Sequence, residues 1–240
     1  MNTQLQKRCA LALDNISDVA GIKELISLTL PWIGIYKIGL EQFIRFGPPV
    51  LDMVHDAGRE IFLDLKLHDI PNTVAQAVRS ACDLGVDYLT IHAQGGSEMI
   101  SAAVRARDEH QAKRKPAIIA VTLLTSINEE ILNSELLVQK DVASCVQHFA
   151  KLAVGANVDG IVCSAADLSS VRQIIPLSKH IITPGIRPAG SAANDQKRIA
   201  TPADAIRAGA TILVLGRAVS AAPDVAVAAR DISEEIRSAI

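Results

Sequence analysis

A chain of 240 residues that is 49% hydrophobic is long enough to bury one large core, a length that single α/β barrels commonly reach. Its formal net charge of -2, with Lys and Arg scattered and aromatic residues at 3%, offers neither the basic footprint nor the stacking platform that nucleic-acid binding needs. The polar stretch Met1 to Arg8 runs into Cys9-Ala10-Leu11-Ala12-Leu13, too short for a signal peptide or a membrane span, so no membrane partner is expected. Cys9, Cys82, Cys145 and Cys163 lie in apolar surroundings without Cys-x-x-Cys spacing; they read as buried thiols in a reducing compartment, and a cytoplasmic location is expected.

Short apolar runs ending in a polar residue or glycine predict strands at Cys9 to Asp14, Tyr36 to Gly39, Ile61 to Lys66, Tyr88 to Ala93, Ala117 to Thr125, Gly160 to Ser164, Ile181 to Gly185 and Thr211 to Gly216. Helical stretches separate them. Ser17 is a candidate cap for the first; Pro71 marks the start of the one after the third strand. Thr201-Pro202-Ala203-Asp204 resembles a capping box, and Pro223 marks the start of the last helix. Val74, Ala77, Val78 and Ala81 recur at a helical period that suits packing on a sheet. Eight consecutive β-α units predict an α/β fold, a (β/α)8 TIM barrel forming a single domain over residues 1-240. A doubly wound open sheet is the alternative, weakened because no Gly-x-Gly-x-x-Gly follows the first strand.

Polar side chains at the C-terminal strand ends of such a barrel converge on one mouth. On the first strand, Asp14 shares its face with Ala10 and Ala12, while Leu11 and Leu13 face the helices. Ile61-Phe62-Leu63-Asp64-Leu65-Lys66-Leu67-His68-Asp69 carries charge into an otherwise buried-looking strand, with Asp64 and Lys66 on one face and Leu63, Leu65 and Leu67 on the other. Lys37 on the second strand is expected opposite Asp64, and Asp69 close by in the loop. Carboxylates beside each lysine favour its ammonium form, which disfavours Schiff-base chemistry and suits Lys66 to proton donation. The structural alternative is an ion network that only satisfies itself; a fold seeking stability alone does better with Val or Ile at such positions.

Thr183-Pro184-Gly185-Ile186-Arg187-Pro188 after the seventh strand and Gly216-Arg217 after the eighth fall where this fold places a phosphate: glycines admit backbone N-H groups to an anion and arginine adds charge. A phosphorylated ligand is expected. The small-residue stretch 189-194 could close as a lid, Ser126 to Lys140 is a second candidate cover, and Gln196 could bridge a phosphate and a ring carbonyl. His68 and His92 lie near the mouth, whereas His55, His110, His148 and His180 read as structural or solvated. A metal site from His92, His68 and Asp64 lacks the usual ligand spacing, and the lysines repel a cation; no metal is expected.

With these positions set out, the chain resembles the orotidine 5'-phosphate decarboxylase family in its compact bacterial form. The resemblance covers essentially the whole chain and rests on Asp64-Leu65-Lys66-Leu67-His68-Asp69-Ile70-Pro71-Asn72-Thr73, Thr183-Pro184-Gly185-Ile186-Arg187-Pro188, Asp195-Gln196-Lys197-Arg198 and Gly216-Arg217. It implies cofactor-independent loss of carbon dioxide from orotidine 5'-phosphate in pyrimidine biosynthesis, with Lys66 as proton donor. It also implies a homodimer in which Asp69, Ile70 and Thr73 reach the neighbouring site. Asp14 and Lys37 are assigned to ribose contacts, Thr125 to the pyrimidine edge, Gln196 to phosphate and base, and Arg187, Gly216 and Arg217 to phosphate. Leu67 stands where phenylalanine is frequent in bacterial relatives, a difference that falls on the helix side. A wider group sharing Asp-x-Lys-x-x-Asp includes metal-dependent sugar-phosphate lyases; that activity, and a non-catalytic nucleotide-binding barrel, are the competing readings.

Overall fold

The computed structural model describes residues 3-188 and 200-240. Its strands are β1 (Cys9–Ala12), β2 (Ile35–Gly39), β3 (Glu60–Leu67), β4 (Tyr88–His92), β5 (Ala117–Val121), β6 (Gly160–Val162), β7 (His180–Thr183) and β8 (Ile212–Leu215). Each pairs in parallel with the next, and β8 returns to β1, so the sheet is a closed barrel and the open-sheet alternative is set aside. Around it, α1 (Thr3–Gln6) precedes β1, α2 (Val19–Thr29) follows it, and α3 (Leu40–Phe46) with α4 (Pro49–Asp56) follows β2. Then come α5 (Pro71–Asp83), α6 (Gly96–Glu109), α7 (Val142–Gly155), α8 (Leu168–Arg172), α9 (Pro202–Arg207), α10 (Arg217–Ser220) and α11 (Val225–Ser238).

Strand alternation divides the apolar residues into two layers. Inside the barrel, Ala10, Ile35, Phe62, Tyr88, Ile119, Ile182 and Ile212 form a compact core that includes two rings, Phe62 and Tyr88, packed edge to face at 5.9 Å. Outside, Leu11, Leu13, Ile38, Leu63, Leu89 and Ile161 meet the helices, including Val74, Val78 and Ala81 of α5. The N-terminal rim is fastened by side chains just ahead of β4, β6 and β8: Asp87, Asp159 and Thr211 accept the N-H groups of Ile61, Ile118 and Ile181 at 2.8, 2.8 and 2.9 Å. Glu60 closes the bottom of the barrel, accepting from Tyr88 Oη at 3.1 Å and pairing with Lys7 at 2.6 Å.

Several boundaries differ from expectation, each for a local reason. β1 ends at Ala12, leaving Asp14 in the following turn. β5 ends at Val121 rather than Thr125, because Thr122 N-H takes the carbonyl of Val162, where its partner β6 ends two residues ahead of the expected Ser164. β7 stops at Thr183, since Pro184 has no N-H and Gly185 turns at φ 82°. Asp18, not Ser17, caps α2; its extended backbone lets Oδ1 accept from Gly21 N-H at 2.8 Å. Thr201 caps α9 through Asp204 N-H with Pro202 at the first turn, as the sequence predicts, whereas α11 is capped by Asp224, the residue after Pro223.

Candidate active site

At the C-terminal mouth, adjacent strands bring four charges into one chain of contacts. Lys37 Nζ on β2 lies 3.1 and 3.0 Å from the two carboxylate oxygens of Asp14 and 3.5 Å from Asp64 Oδ2 on β3. Lys66 Nζ takes the same Oδ2 at 2.8 Å, so one oxygen is shared by two ammonium groups. Asp64 Oδ1 accepts the hydroxyl of Thr90 on β4 at 2.9 Å, and Thr90 Oγ1 accepts the backbone N-H of Lys66, also at 2.9 Å. Lys37 and Asp64 are both 8% exposed. Burial alone pushes the Asp64 carboxyl upward, but Lys37, Lys66 and the hydrogen bonds from Lys66 and Thr90 outweigh it and hold the group below its usual range. Asp64 is therefore a carboxylate, as two ammonium neighbours require.

Backbone geometry sets this pattern. Between Leu63 and Leu67 the β3–β4 register shifts, with Leu63 opposite Leu89 and Leu67 opposite Ile91, and Lys66 sits at φ 50° in the left-handed region. A lysine there costs about 1–2 kcal/mol relative to its ordinary conformations, the kind of strain that persists where surrounding structure holds it. The turn bearing Asp14 is held in the same manner: Asn15, at φ 63°, donates its N-H to Glu41 at 3.0 Å, and Gln42 Nε2 donates to Ile16 O at 3.0 Å. A Cβ on Gly39 would stand 3.0 Å from Asp14 Oδ1 and 3.1 Å from Lys37 Nζ, so a side chain there would crowd the pair.

These groups form one wall of a cavity of about 450 Å³ floored by Ala12, Phe62, Val162 and Val214. Pro184, Gly185, Arg187, Gly216, Arg217 and Ser220 form the opposite wall, and Thr125 lies on its rim. Arg187 is 6% exposed and donates to Ile186 O at 3.1 Å. A Cβ built on Gly216 meets nothing within 4 Å, so the space before its backbone is open. One wall thus suits charge rearrangement, the other an anion.

A profile of the family described as "Orotidine 5'-phosphate decarboxylase / HUMPS family" matches residues 7–232. The chain belongs to this family. The protein named orotidine 5'-phosphate decarboxylase from Moorella thermoacetica is 46% identical over 94% of this chain and 90% of its own length. The one from Syntrophotalea carbinolica is 41% identical over 100% and 99%. Among solved structures, orotidine 5'-phosphate decarboxylase from Lactobacillus acidophilus superposes with a TM-score of 0.83 at 32% identity, covering 96% of this chain and 99% of that one.

Within this family member, Asp14, Lys37, Asp64, Lys66, Thr125, Pro184, Arg187, Gly216 and Arg217 all line the one cavity. Asp69, expected close by in the loop, lies outside the cavity lining of the single chain. In the single chain it is exposed in the β3–α5 loop, its Oδ1 turned back onto Ile70 N-H at 2.7 Å, and among the described residues Lys66 pairs with Asp64 alone. Ile70, 67% exposed, and Thr73 are likewise outside the cavity lining. Gln196 and the expected lid stretch lie outside the described residues. His68 and His92 approach with ring centroids 5.2 Å apart; burial, then His68 and Lys66, push His92 down, favouring neutral imidazole. Among the described residues no three His, Cys, Asp or Glu side chains gather as a metal site. Sequence reasoning missed Thr90, Asn15 and Ser220. Thr90 was findable, since it shares the inward face of β4 with Tyr88 and His92, and Ser220 follows Arg217 at a helical interval of three.

Proposed function

We propose that this chain decarboxylates orotidine 5'-phosphate to uridine 5'-phosphate and carbon dioxide, drawing on its own side chains alone. One observation carries the reading: the Asp14–Lys37–Asp64–Lys66 array and the Arg187, Gly216 and Arg217 wall face each other across a single cavity large enough for a nucleotide. The nucleotide relatives' names support the choice of substrate.

When the bond from ring carbon six to the carboxylate breaks, its electron pair stays on that carbon in the ring plane, where no conjugated sink accepts it. The protein answers with a fixed positive charge. Lys66 presents its ammonium to the developing carbanion, stabilises it, and transfers a proton to it; water then restores the lysine proton. Asp64 keeps that ammonium charged and aimed, while Lys37 and Asp14 extend the array toward the ribose. Thr125 meets the pyrimidine edge, and Gln196 joins phosphate and base. Arg187, Arg217 and the open backbone at Gly216, beside Pro184 and Gly185, hold the phosphate, whose binding energy orients the ring.

The working unit in this reading is a homodimer. Asp69, Ile70 and Thr73 stand exposed at the start of α5, an arrangement suited to completing a neighbour's site, where Asp69 would supply the second acid for Lys66. Four buried free cysteines fit a reducing, cytoplasmic setting. The test is to mix purified chain, dialysed against chelator, with orotidine 5'-phosphate. Loss of the substrate's ultraviolet absorbance with formation of uridine 5'-phosphate is expected. An unchanged spectrum refutes the activity, and a loss that needs restored divalent metal favours a metal-dependent lyase.

A further inference from the structure

We propose that Thr90 is a positioning residue of the reacting centre, its hydroxyl tying the backbone of Lys66 to the carboxylate of Asp64 across the irregular stretch between β3 and β4. The inference rests on the reading above, in which Asp64 and Lys66 act on the substrate.

Thr90 is fully buried and points into the barrel from the middle of β4. Its oxygen accepts Lys66 N-H at 2.9 Å, so its one proton is free for Asp64 Oδ1, also at 2.9 Å. An ionised carboxylate can only accept, which fixes the direction of both bonds. Residue 66 is consequently gripped twice through the same acid: its ammonium by Oδ2 at 2.8 Å, and its N-H through the hydroxyl by Oδ1.

The grip falls where regular pairing gives out. β3 runs from Leu63 to Leu67 while β4 advances from Leu89 to Ile91, and Lys66 adopts φ 50° within that excess. Thr90 thus supplies from a side chain the acceptor for the strained residue's N-H. The charged and titratable groups facing the carboxylate are Lys37 from β2, Lys66 from β3 and His92 from β4. A lysine ammonium has no lone pair with which to accept a backbone N-H, and among the described residues it is Thr90, not His92, that is bonded to both Lys66 N-H and Asp64 Oδ1. Without the hydroxyl, Asp64 keeps its lysine contacts through Oδ2 but loses the hold on Oδ1, and residue 66 loses the acceptor for its N-H, which lets the ammonium shift away from the reacting carbon.

The experiment compares wild type, Thr90→Val and Thr90→Ser as full chains, measuring kcat and KM for orotidine 5'-phosphate, the Kd of uridine 5'-phosphate, and Tm. Valine keeps the shape and removes the hydroxyl; its kcat is expected to fall about 10- to 100-fold, the cost of a misplacement near 1 Å. KM and product Kd should move less than about threefold, because phosphate and base contacts are untouched, and serine should restore kcat to within about threefold of wild type. Val at wild-type kcat, a loss falling on KM alone, or Ser as impaired as Val overturns the assignment. Should the Val protein not fold, the Ser variant still decides, since a large fall in its kcat with the hydroxyl retained overturns the proposal. Wild-type chain without turnover refutes the decarboxylase reading itself, a result distinct from all of these.

Discussion

Lys66→Ala removes the group that the proposed chemistry cannot do without. An ammonium about 3 Å from a carbanion, at an effective dielectric constant near 20, contributes about 5 kcal/mol, or about four powers of ten in rate. Side-chain exposure of 31% admits some solvent screening, so a loss of about three to four powers of ten in kcat is expected. Lys37 cannot step in, being held by both oxygens of Asp14 at 3.1 and 3.0 Å. Stability should change little: Asp64 retains Lys37 at 3.5 Å and Thr90 at 2.9 Å, and about 1 kcal/mol corresponds to about 2–4 °C in a chain of this size. Two companions separate the roles. Lys66→Gly relieves the positive φ and should fold at least as well while remaining inactive; Lys66→Arg keeps the charge but gives up a proton poorly. Decay of orotidine 5'-phosphate absorbance gives the rate, and uridine 5'-phosphate binding with Tm reports the fold. An alanine protein that binds product and turns over within tenfold of wild type would refute the reasoning.

Arg217→Ala should weaken kcat/KM for the phosphorylated substrate by about 10- to 100-fold, the worth of one charge-assisted contact, while leaving the bare nucleoside nearly unchanged; equal losses for both argue against the phosphate wall. His180, packed edge-on to Tyr88 at 5.6 Å near the barrel floor, is pushed below 6.5 by burial, against the opposing pull of Asp159 and Glu60. Its folded form resists protonation, so the associated stability is present above pH 6.5 and lost as pH falls through the depressed folded value. Thermal unfolding between pH 7 and 5 should show that decline, and His180→Gln should flatten it; identical slopes in both proteins exclude His180 as the cause.

The parts of the fold that are local in origin were legible from the residues. Period-two alternation placed Ala10 and Ala12 inside and Leu11 and Leu13 outside, and charge at the strand ends marked Asp14, Lys37, Asp64 and Lys66. What depended on a partner strand was not. The ends of β5 and β6 are fixed by each other's length, and the left-handed turn at Lys66 follows from a register shift against β4 that no residue in β3 announces. Thr90 escaped because a β-branched residue is ordinary in a strand, although a buried hydroxyl must find partners. Asp69 is expected close by in the loop, and sequence proximity does not show that in the single chain its carboxylate closes on its own neighbour's N-H.

The two ends of the barrel also differ in what their polar groups accomplish. At the N-terminal rim, the half-buried Asp87, Asp159 and Thr211 each satisfy a backbone N-H, a use of polarity that fastens strands. At the mouth, the polarity is spent on alternating charge around a strained residue, an arrangement that apolar packing would better for stability alone. The sharing of Asp64 Oδ2 makes that array indivisible. Lys37 and Lys66, at 3.5 and 2.8 Å from the same oxygen, each lessen the other's repulsion only through the carboxylate between them. Effects of substituting either lysine therefore include the response of the other, and a rate loss at one position measures a property of the array rather than of one side chain.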